Sequence, residues 1–249
     1  MTDTSVSFHT PIRAVVIGAS GGVGGALLRR LENDPRVSDL IGFARDPLRI
    51  ASETALTGQI DILDEGSIEA AASLASSDGP LDLVVVATGI LHRDESLRPE
   101  KSMRELSAGS MADVLAINTI GPALVAKAFL PRLRRGNKTV FAALSARVGS
   151  IADNRLGGWT SYRASKAALN QVLRTLSIEQ ARRRPEAIVV GLHPGTVDTS
   201  LSKPFQARVP AEQLFTTDVS AGHLLKVIDG LTTDDSGQVL AWDGARIPF

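Results

Sequence analysis

Ala14-Val15-Val16-Ile17-Gly18-Ala19-Ser20-Gly21-Gly22-Val23-Gly24-Gly25 is the stretch that decides the fold class. Its first four residues are continuously apolar and mostly β-branched, the pattern of a strand buried on both faces. A glycine-rich turn follows, and 24–31 then reads as a helix. Without a Cβ the backbone at Gly18, Gly21, Gly22 and Gly24 can turn tightly and approach a pyrophosphate. The N–H groups that open the helix, around Ser20, Gly21, Gly22 and Val23, then point at that anion. The plain alternative is a turn needed for packing alone.

Apolar runs later in the chain predict further strands at 40–44, 59–62, 83–87, 139–144, 187–192 and 238–242. Helical periodicity covers 67–74, 110–133 with a break near Gly136-Asn137, 162–184 up to Pro185, and 219–231. Seven strands alternating with helices predict an α/β fold: a doubly wound, seven-stranded parallel sheet in a Rossmann-like three-layer sandwich. No repeat, low-complexity stretch or linker interrupts it, so 1–249 is expected to be one domain that binds a dinucleotide and carries the catalytic groups. The weakly patterned stretches 92–108 and 200–215 lie beside strand ends, where α/β proteins bind ligands. The second is expected to be a largely apolar substrate lid, from Leu201, Pro204, Phe205 and Leu214.

Composition narrows the function. Hydrophobic residues make up 43% of the 249, enough for a large core, and formal net charge is zero. No basic tail suggests nucleic acid. Arg182-Arg183-Arg184 reads as the last turn of a helix, where cations face the negative end of the dipole. The absence of cysteine excludes disulfide and thiolate chemistry and agrees with a reducing compartment. Four scattered histidines form no ligand cluster, so no metal is expected. The stretch 1–10 is polar and lacks a signal-peptide core, and runs such as 83–87 are too short to span a bilayer. A soluble cytoplasmic protein without membrane partners is the expectation.

The end of the second predicted strand separates the two nicotinamide cofactors. NAD-specific Rossmann proteins place an acid there for the ribose 2′-hydroxyl. Here the strand ends Phe43-Ala44-Arg45. A guanidinium can grip a 2′-phosphate bidentately, which favours NADP(H) over NAD(H), although Asp46 follows directly. Asp64 reads as a helix cap before Glu65.

Tyr162, the one tyrosine in the chain, stands four residues before Lys166, so a helix puts both on one face. An ammonium nearby is expected to lower the phenol pKa and make it a usable general acid or base. Asn118, in Ile117-Asn118-Thr119-Ile120-Gly121, is a polar residue inside an otherwise apolar helical stretch.

Together these segments resemble the short-chain dehydrogenase/reductase family over roughly 12–245, and in particular the subgroup of C-factor-like signalling proteins and small carbonyl reductases. Gly18-x3-Gly22-x-Gly24 is similar to the family's T-G-x-x-x-G-x-G turn, with Ile17 in place of Thr. Tyr162-Arg163-Ala164-Ser165-Lys166 matches its Y-x-x-x-K. The resemblance implies that Asn118 holds a relay water and that Asp61 bonds the adenine amino group. It also implies that Pro194, Gly195, Val197 and Thr199, in His193-Pro194-Gly195-Thr196-Val197-Asp198-Thr199, bound the nicotinamide pocket; His193, before a proline at a strand end, reads as structural. Lys166 would hold the nicotinamide ribose, and a homodimer or homotetramer would form through 110–133 and 162–184.

Two departures stand out. The family's N-N-A-G after the fourth strand is here Val86-Ala87-Thr88-Gly89, so Ala87, Thr88 and Gly89 must border the cofactor without the usual Asn. Its catalytic Ser, three residues before a Gly, falls on Ala146 when aligned on Gly149. Ser145 is the neighbouring candidate, but adjacent strand residues point to opposite faces unless a bulge re-aims one. Gly157-Gly158-Trp159 lengthens the segment before Tyr162, and Trp159 either lines the substrate mouth or packs this insertion. The expected activity is hydride transfer between NADPH and a small-molecule carbonyl or alcohol. The alternative is a low-turnover dinucleotide-binding signalling or redox-sensing protein.

Overall fold

The computed structural model describes residues 8–94 and 96–249, with Arg208 described in its backbone only. The polar stretch 1–7 lies outside the described residues. In chain order the main elements are β1 (Ile12–Ile17), α1 (Gly22–Glu32), β2 (Val37–Ala44), β3 (Leu56–Gln59), α2 (Glu65–Ala75) and β4 (Leu83–Val86). Then come α3 (Ala108–Leu115), α4 (Gly121–Phe129), β5 (Thr139–Leu144), α5 (Thr160–Ala181), β6 (Ala187–His193), β7 (Thr196–Val197), β8 (Leu214–Phe215), α6 (Thr217–Gly230) and β9 (Val239–Ala241).

Seven strands form one parallel sheet in the order β3-β2-β1-β4-β5-β6-β9, and β7 and β8 make a small separate pair. The chain reverses its winding between β1 and β4, the switch point at which doubly wound sheets open a crevice. Register aligns the carboxyl ends: Ile17 pairs with Phe43 and Val86, Val86 with Ala143, Leu144 with Leu192, and His193 with Ala241.

Strand period splits the core in two. Val15, Ile17, Val84, Val86, Phe141 and Ala143 pack on one side with Ile68, Val125, Phe129 and Leu169 of the helices. Ala14, Val16, Val85, Val140 and Ala142 pack on the other with Leu27, Leu28, Leu224 and Ile228. Each fully buried Val, Leu, Ile or Phe contributes about 1.5–3 kcal/mol.

Several expectations shift. The third strand is Leu56–Gln59 rather than 59–62, because pairing with β2 stops at Ala44↔Gln59. Ile60 and Ile62 are buried beyond it, inside the turn to α2. The helix expected over 110–133 starts at Ala108 and is interrupted by a π turn at Ala116–Ile120. The whole run Ala108–Arg132 is long and apolar enough by composition to cross a bilayer, unlike the strand-sized runs expected, and about 56% of its most apolar window is buried inside the protein. Arg184 lies past the end of α5 instead of in its last turn. Its guanidinium donates to the carbonyls of Leu130, Pro131 and Leu133, capping the helical run that α4 begins. Asp64 caps α2 as expected, accepting from Gly66 N at 2.9 Å.

Candidate active site

The glycine turn is shaped by close approach. Gly18 has φ +88°, and a Cβ on it would stand 3.0 Å from the Ala87 carbonyl carbon. A Cβ on Gly24 would lie 2.2 Å from the Gly18 carbonyl oxygen. The turn is tied to β2 by Gly18 N and Ala19 N, which share the Phe43 carbonyl at 2.8 and 3.0 Å. Gly21 takes the N-cap position of α1, with no side chain satisfying the first N–H groups. Opposite stands Thr199: a Cβ on Gly22 would meet its methyl at 2.6 Å.

Between that turn and α5 lies a cleft of about 530 Å³. Among the expected site residues, Gly21, Gly22, Val23, Ala87, Thr88, Gly89, Tyr162, Lys166, Pro194, Gly195, Val197 and Thr199 line it. Gly18, Ser20 and Gly24 belong to the turn itself but do not line the cleft, and Arg45 and Asp61 lie outside it, after β2 and β3. Asn118 is fully buried behind the wall.

Arg45 is exposed and makes no ion pair among the described residues. The neighbouring Asp46, the residue that weakened the 2′-phosphate reading, is engaged elsewhere: its carboxylate accepts Leu48 N at 3.1 Å as the cap of a short turn. Asp61 accepts Leu63 N at 3.0 Å through Oδ1. Thr88 Oγ1, one residue past the positions where the related pattern has its Asn pair, is buried without a hydrogen-bond partner.

The helix α5 brings Tyr162 and Lys166 onto one buried face. Lys166 Nζ donates to the Leu144 carbonyl at 2.8 Å and lies 5.9 Å from the Tyr162 ring centroid. Burial pushes the Tyr162 phenol up to about 12, opposite to the expected lowering, and pushes the Lys166 ammonium down to about 8. Gly149 packs directly on this helix, since a Cβ there would come 2.8 Å from the Lys166 Cβ.

Asn118 sits in the π turn, a bulge that the apolar periodicity did not announce. Its Oδ1 accepts Ile90 N at 2.8 Å, while Nδ2 donates to Ile90 O at 2.8 Å and to Ser165 Oγ at 3.1 Å. It thereby pins the segment after β4 to α5. A Cβ on Gly89 would lie 3.4 Å from Asn118 Oδ1 and 3.6 Å from Lys166 Nζ, so these two groups flank that glycine.

Ser145 borders the cleft, but its hydroxyl is already engaged. Its Oγ donates to Asn170 Oδ1 at 2.6 Å, on the α5 side of the sheet. Ala146 packs with Leu91 and Tyr162, and Val148, Trp159, Leu201 and Phe205 complete an apolar wall. Trp159 therefore borders the cleft, with Phe205 edge-on at 5.0 Å. Leu201 and Phe205 line the cleft as the lid reading expected; Pro204 is exposed and Leu214 is taken into the β7–β8 pair. His193, expected to be structural, lines the cleft. Burial and the nearby Arg147 charge lower its pKa to about 4, so the imidazole is neutral at physiological pH.

A helix N-terminus open toward a glycine cradle, with a buried Tyr–Lys pair across the cleft, defines the class as an NAD(P)-dependent oxidoreductase. Comparison with known proteins gives the family. The short chain dehydrogenase family model matches residues 13–209, and the chain belongs to that family. It is 34% identical over 240 residues to 1-hydroxy-2-glutathionyl-2-methyl-3-butene dehydrogenase of Rhodococcus sp. (strain AD45), covering 94% of this chain and 98% of that protein. It is 36% identical over 172 residues to the C-signal protein of Myxococcus xanthus, covering 69% of this chain and 94% of that one. Its fold superposes on the NADPH-bound carbonyl reductase from chicken fatty liver with a TM-score of 0.81 at 27% identity, covering 96% and 99% of the two chains.

Proposed function

We propose that this protein is an NADP(H)-dependent carbonyl reductase, a single dinucleotide-binding and catalytic domain acting as a cytoplasmic homo-oligomer. The observation that carries the reading is the Tyr162–Lys166 pair, buried on one face of α5 and open to the cleft that begins at the glycine turn. The residues present fit a dinucleotide: the uncapped start of α1 suits a pyrophosphate, and Thr88 Oγ1 is a buried polar atom awaiting a partner. The NADPH-bound carbonyl reductase of similar fold supports the same reading.

When bound, the nicotinamide supplies the hydride. Gly18, Ser20, Gly21, Gly22, Val23 and Gly24 hold the pyrophosphate, Arg45 the 2′-phosphate and Asp61 the adenine amino group. Ala87, Thr88 and Gly89 border the cofactor on the β4 side, and Pro194, Gly195, Val197 and Thr199 close the nicotinamide end. Tyr162 keeps its proton in the buried cleft and donates it to the carbonyl oxygen of the substrate. Lys166 stays cationic at neutral pH, holds the ribose and steadies the phenolate left behind. Asn118 fixes the wall through Ile90 and Ser165 and keeps a second Oδ1 lone pair for a relay water. The apolar wall around Trp159, Phe205 and Leu201 receives the body of the substrate. Exposed Ile120 and Ile178, on the helical runs expected to pair subunits, support the oligomer.

The test is Tyr162→Phe, assayed with NADPH against aldehydes, ketones and quinones. The variant should bind NADPH as the wild type does and lose turnover; retained turnover overturns the mechanism. One observation favours a second reading, a low-turnover redox sensor: the Ser145 hydroxyl is taken up by Asn170, and residue 146, packed against Tyr162, carries none. Tight NADPH binding without turnover across the whole panel would favour it.

A further inference from the structure

The helix that carries Tyr162 has no cap of its own. Trp159 holds the N-cap position in the left-handed region, at φ 53°, and its side chain caps nothing. No acid stands in the first turn. Helix-opening N–H groups need partners when buried. Glu100, from the segment after β4, supplies partners for two of them, Trp159 N and Ser161 N, from another part of the chain. It is 3% exposed. Its Oε2 accepts Ser161 N at 3.1 Å, and its Oε1 accepts the Ser161 hydroxyl. Its main-chain carbonyl accepts Trp159 N at 2.5 Å. A carboxylate at a helix N-terminus also meets the positive end of the dipole.

The other side of the insertion is held by Arg163. Its guanidinium donates to the carbonyls of Gly158 at 2.9 Å, Gly157 at 3.2 Å and Val148 at 3.3 Å. Within Gly157-Gly158-Trp159, the Trp159 N–H is thus held by Glu100 and the two glycine carbonyls by Arg163. A left-handed Trp costs on the order of 1–2 kcal/mol, and such a conformation persists only where its surroundings impose it. The consequence is a fixed indole, with its ring 6.3 Å from that of Tyr162 and edge-on to it.

We propose that Glu100 is a positioning residue, which caps the Tyr162 helix from outside and so sets both the phenol and the Trp159 wall of the cleft. The importance of the phenol rests on the reductase reading; the clamp itself does not. Tyr162 is the only tyrosine in the chain, so tyrosinate absorbance reports that residue alone. The experiment follows this absorbance after a rapid pH jump, before unfolding, alongside NADPH affinity and steady-state kinetics with an aldehyde.

Glu100→Ala should let water into the first turn and move the Tyr162 midpoint from about 12 toward the ordinary tyrosine value near 10. It should lower kcat/KM for the aldehyde by about 10- to 100-fold, as misplacement of a reacting group does, with NADPH affinity unchanged. Glu100→Gln should restore both, because its oxygen can accept Ser161 N while its amide donates to Ser161 Oγ. An Ala variant that titrates and turns over like the wild type overturns the proposal. Equal damage from Gln and Ala also overturns it, since Gln keeps the geometry and loses only the charge. Should Glu100→Ala fail to fold, Ser161→Ala removes one half of the clamp and must shift the midpoint in the same direction; an unmoved midpoint refutes the proposal. If the wild type reduces no carbonyl, the reductase reading fails, while the absorbance titration still decides the clamp without a substrate.

Discussion

Replacing Ala146 by Ser should raise turnover. Ala146 lies two residues past β5 at the cleft, 9% exposed and packed against Tyr162 and Leu91. Beside it, the Ser145 hydroxyl is held by Asn170. A substrate carbonyl placed under Tyr162 therefore meets one hydroxyl donor where two would fit. A preorganised donor aimed at a developing oxyanion is worth about 2.7–4 kcal/mol, or roughly 10²–10³ in kcat. A hydroxyl installed without a shell built to orient it should realise only part of that, about 10-fold. The added atom faces the cleft rather than the sheet interior, so its cost to stability should stay within about 1 kcal/mol. The assay is NADPH oxidation at saturating aldehyde, with NADPH affinity and the denaturation midpoint measured on the same preparation. The reasoning predicts a higher kcat with the other two quantities unchanged. A kcat equal to or below wild type, in a variant that folds and binds NADPH normally, refutes the idea that a missing hydroxyl limits the rate.

Three further outcomes follow from separate parts of the molecule. Arg45→Ala should weaken NADPH binding by about 10- to 100-fold, the loss of a charge-assisted contact worth roughly 1.5–3 kcal/mol, and leave NADH binding unchanged; equal effects on both cofactors in a fluorescence titration would remove Arg45 from the 2′-phosphate site. Gly24→Ala puts a Cβ 2.2 Å from the Gly18 carbonyl oxygen, a backbone atom that cannot swing away, and should destabilise the fold by about 1–3 kcal/mol; an unmoved urea midpoint would contradict it. Glu32 loses solvation by burial, which alone raises its pKa, but hydrogen bonds from Ser52, Thr54 and Ala55 outweigh this and hold it at about 2 instead of 4.5. A lowered folded-state pKa stabilises above the unfolded value, so the advantage of wild type over Glu32→Gln should be full above pH 4.5 and fade as pH falls toward 2. A gap that stays constant across that window would show that Glu32 acts without its charge.

What the sequence made legible was local or periodic. The strand at Thr139–Leu144 coincides with its expected bounds, because the apolar run Val140 to Leu144 is buried on both faces and Lys138 and Ser145 stand just outside the strand. Tyr162 and Lys166 fall on one face because i and i+4 always do in a helix. The glycine turn was legible because Gly18 and Gly24 leave no room for a Cβ. What stayed hidden depends on distant partners. The π turn at Ala116–Ile120 is stabilised by Asn118 bonding Ile90 and Ser165, 28 and 47 residues away. The third strand slid toward Leu56 because the edge strand follows the register of β2 and not its own most apolar residues. Arg184 reaches carbonyls more than 50 residues back along the chain, which no reading of its own helix contains. Glu100 carried no motif at all; only its proximity to Ser161 marks it.

The departure at 145 and 146 is locked in by the same alternation that made it visible. Adjacent extended residues face opposite sides, so with Ser145 bonded to Asn170 only residue 146 can present a hydroxyl to Tyr162, and that residue is Ala. Freeing the Ser145 hydroxyl for the cleft would leave Asn170, itself 3% exposed, with an unpaired Oδ1, a penalty of about 1–3 kcal/mol. Gly149 adds a second restraint, because its contact with Lys166 fixes the path of the chain just past this point. A small adjustment therefore does not recover the hydroxyl. In the reductase reading the proton and the polarising hydrogen bond both come from Tyr162, and a change at 146, which faces the cleft, tests this where a change at 145 would only disturb packing under α5.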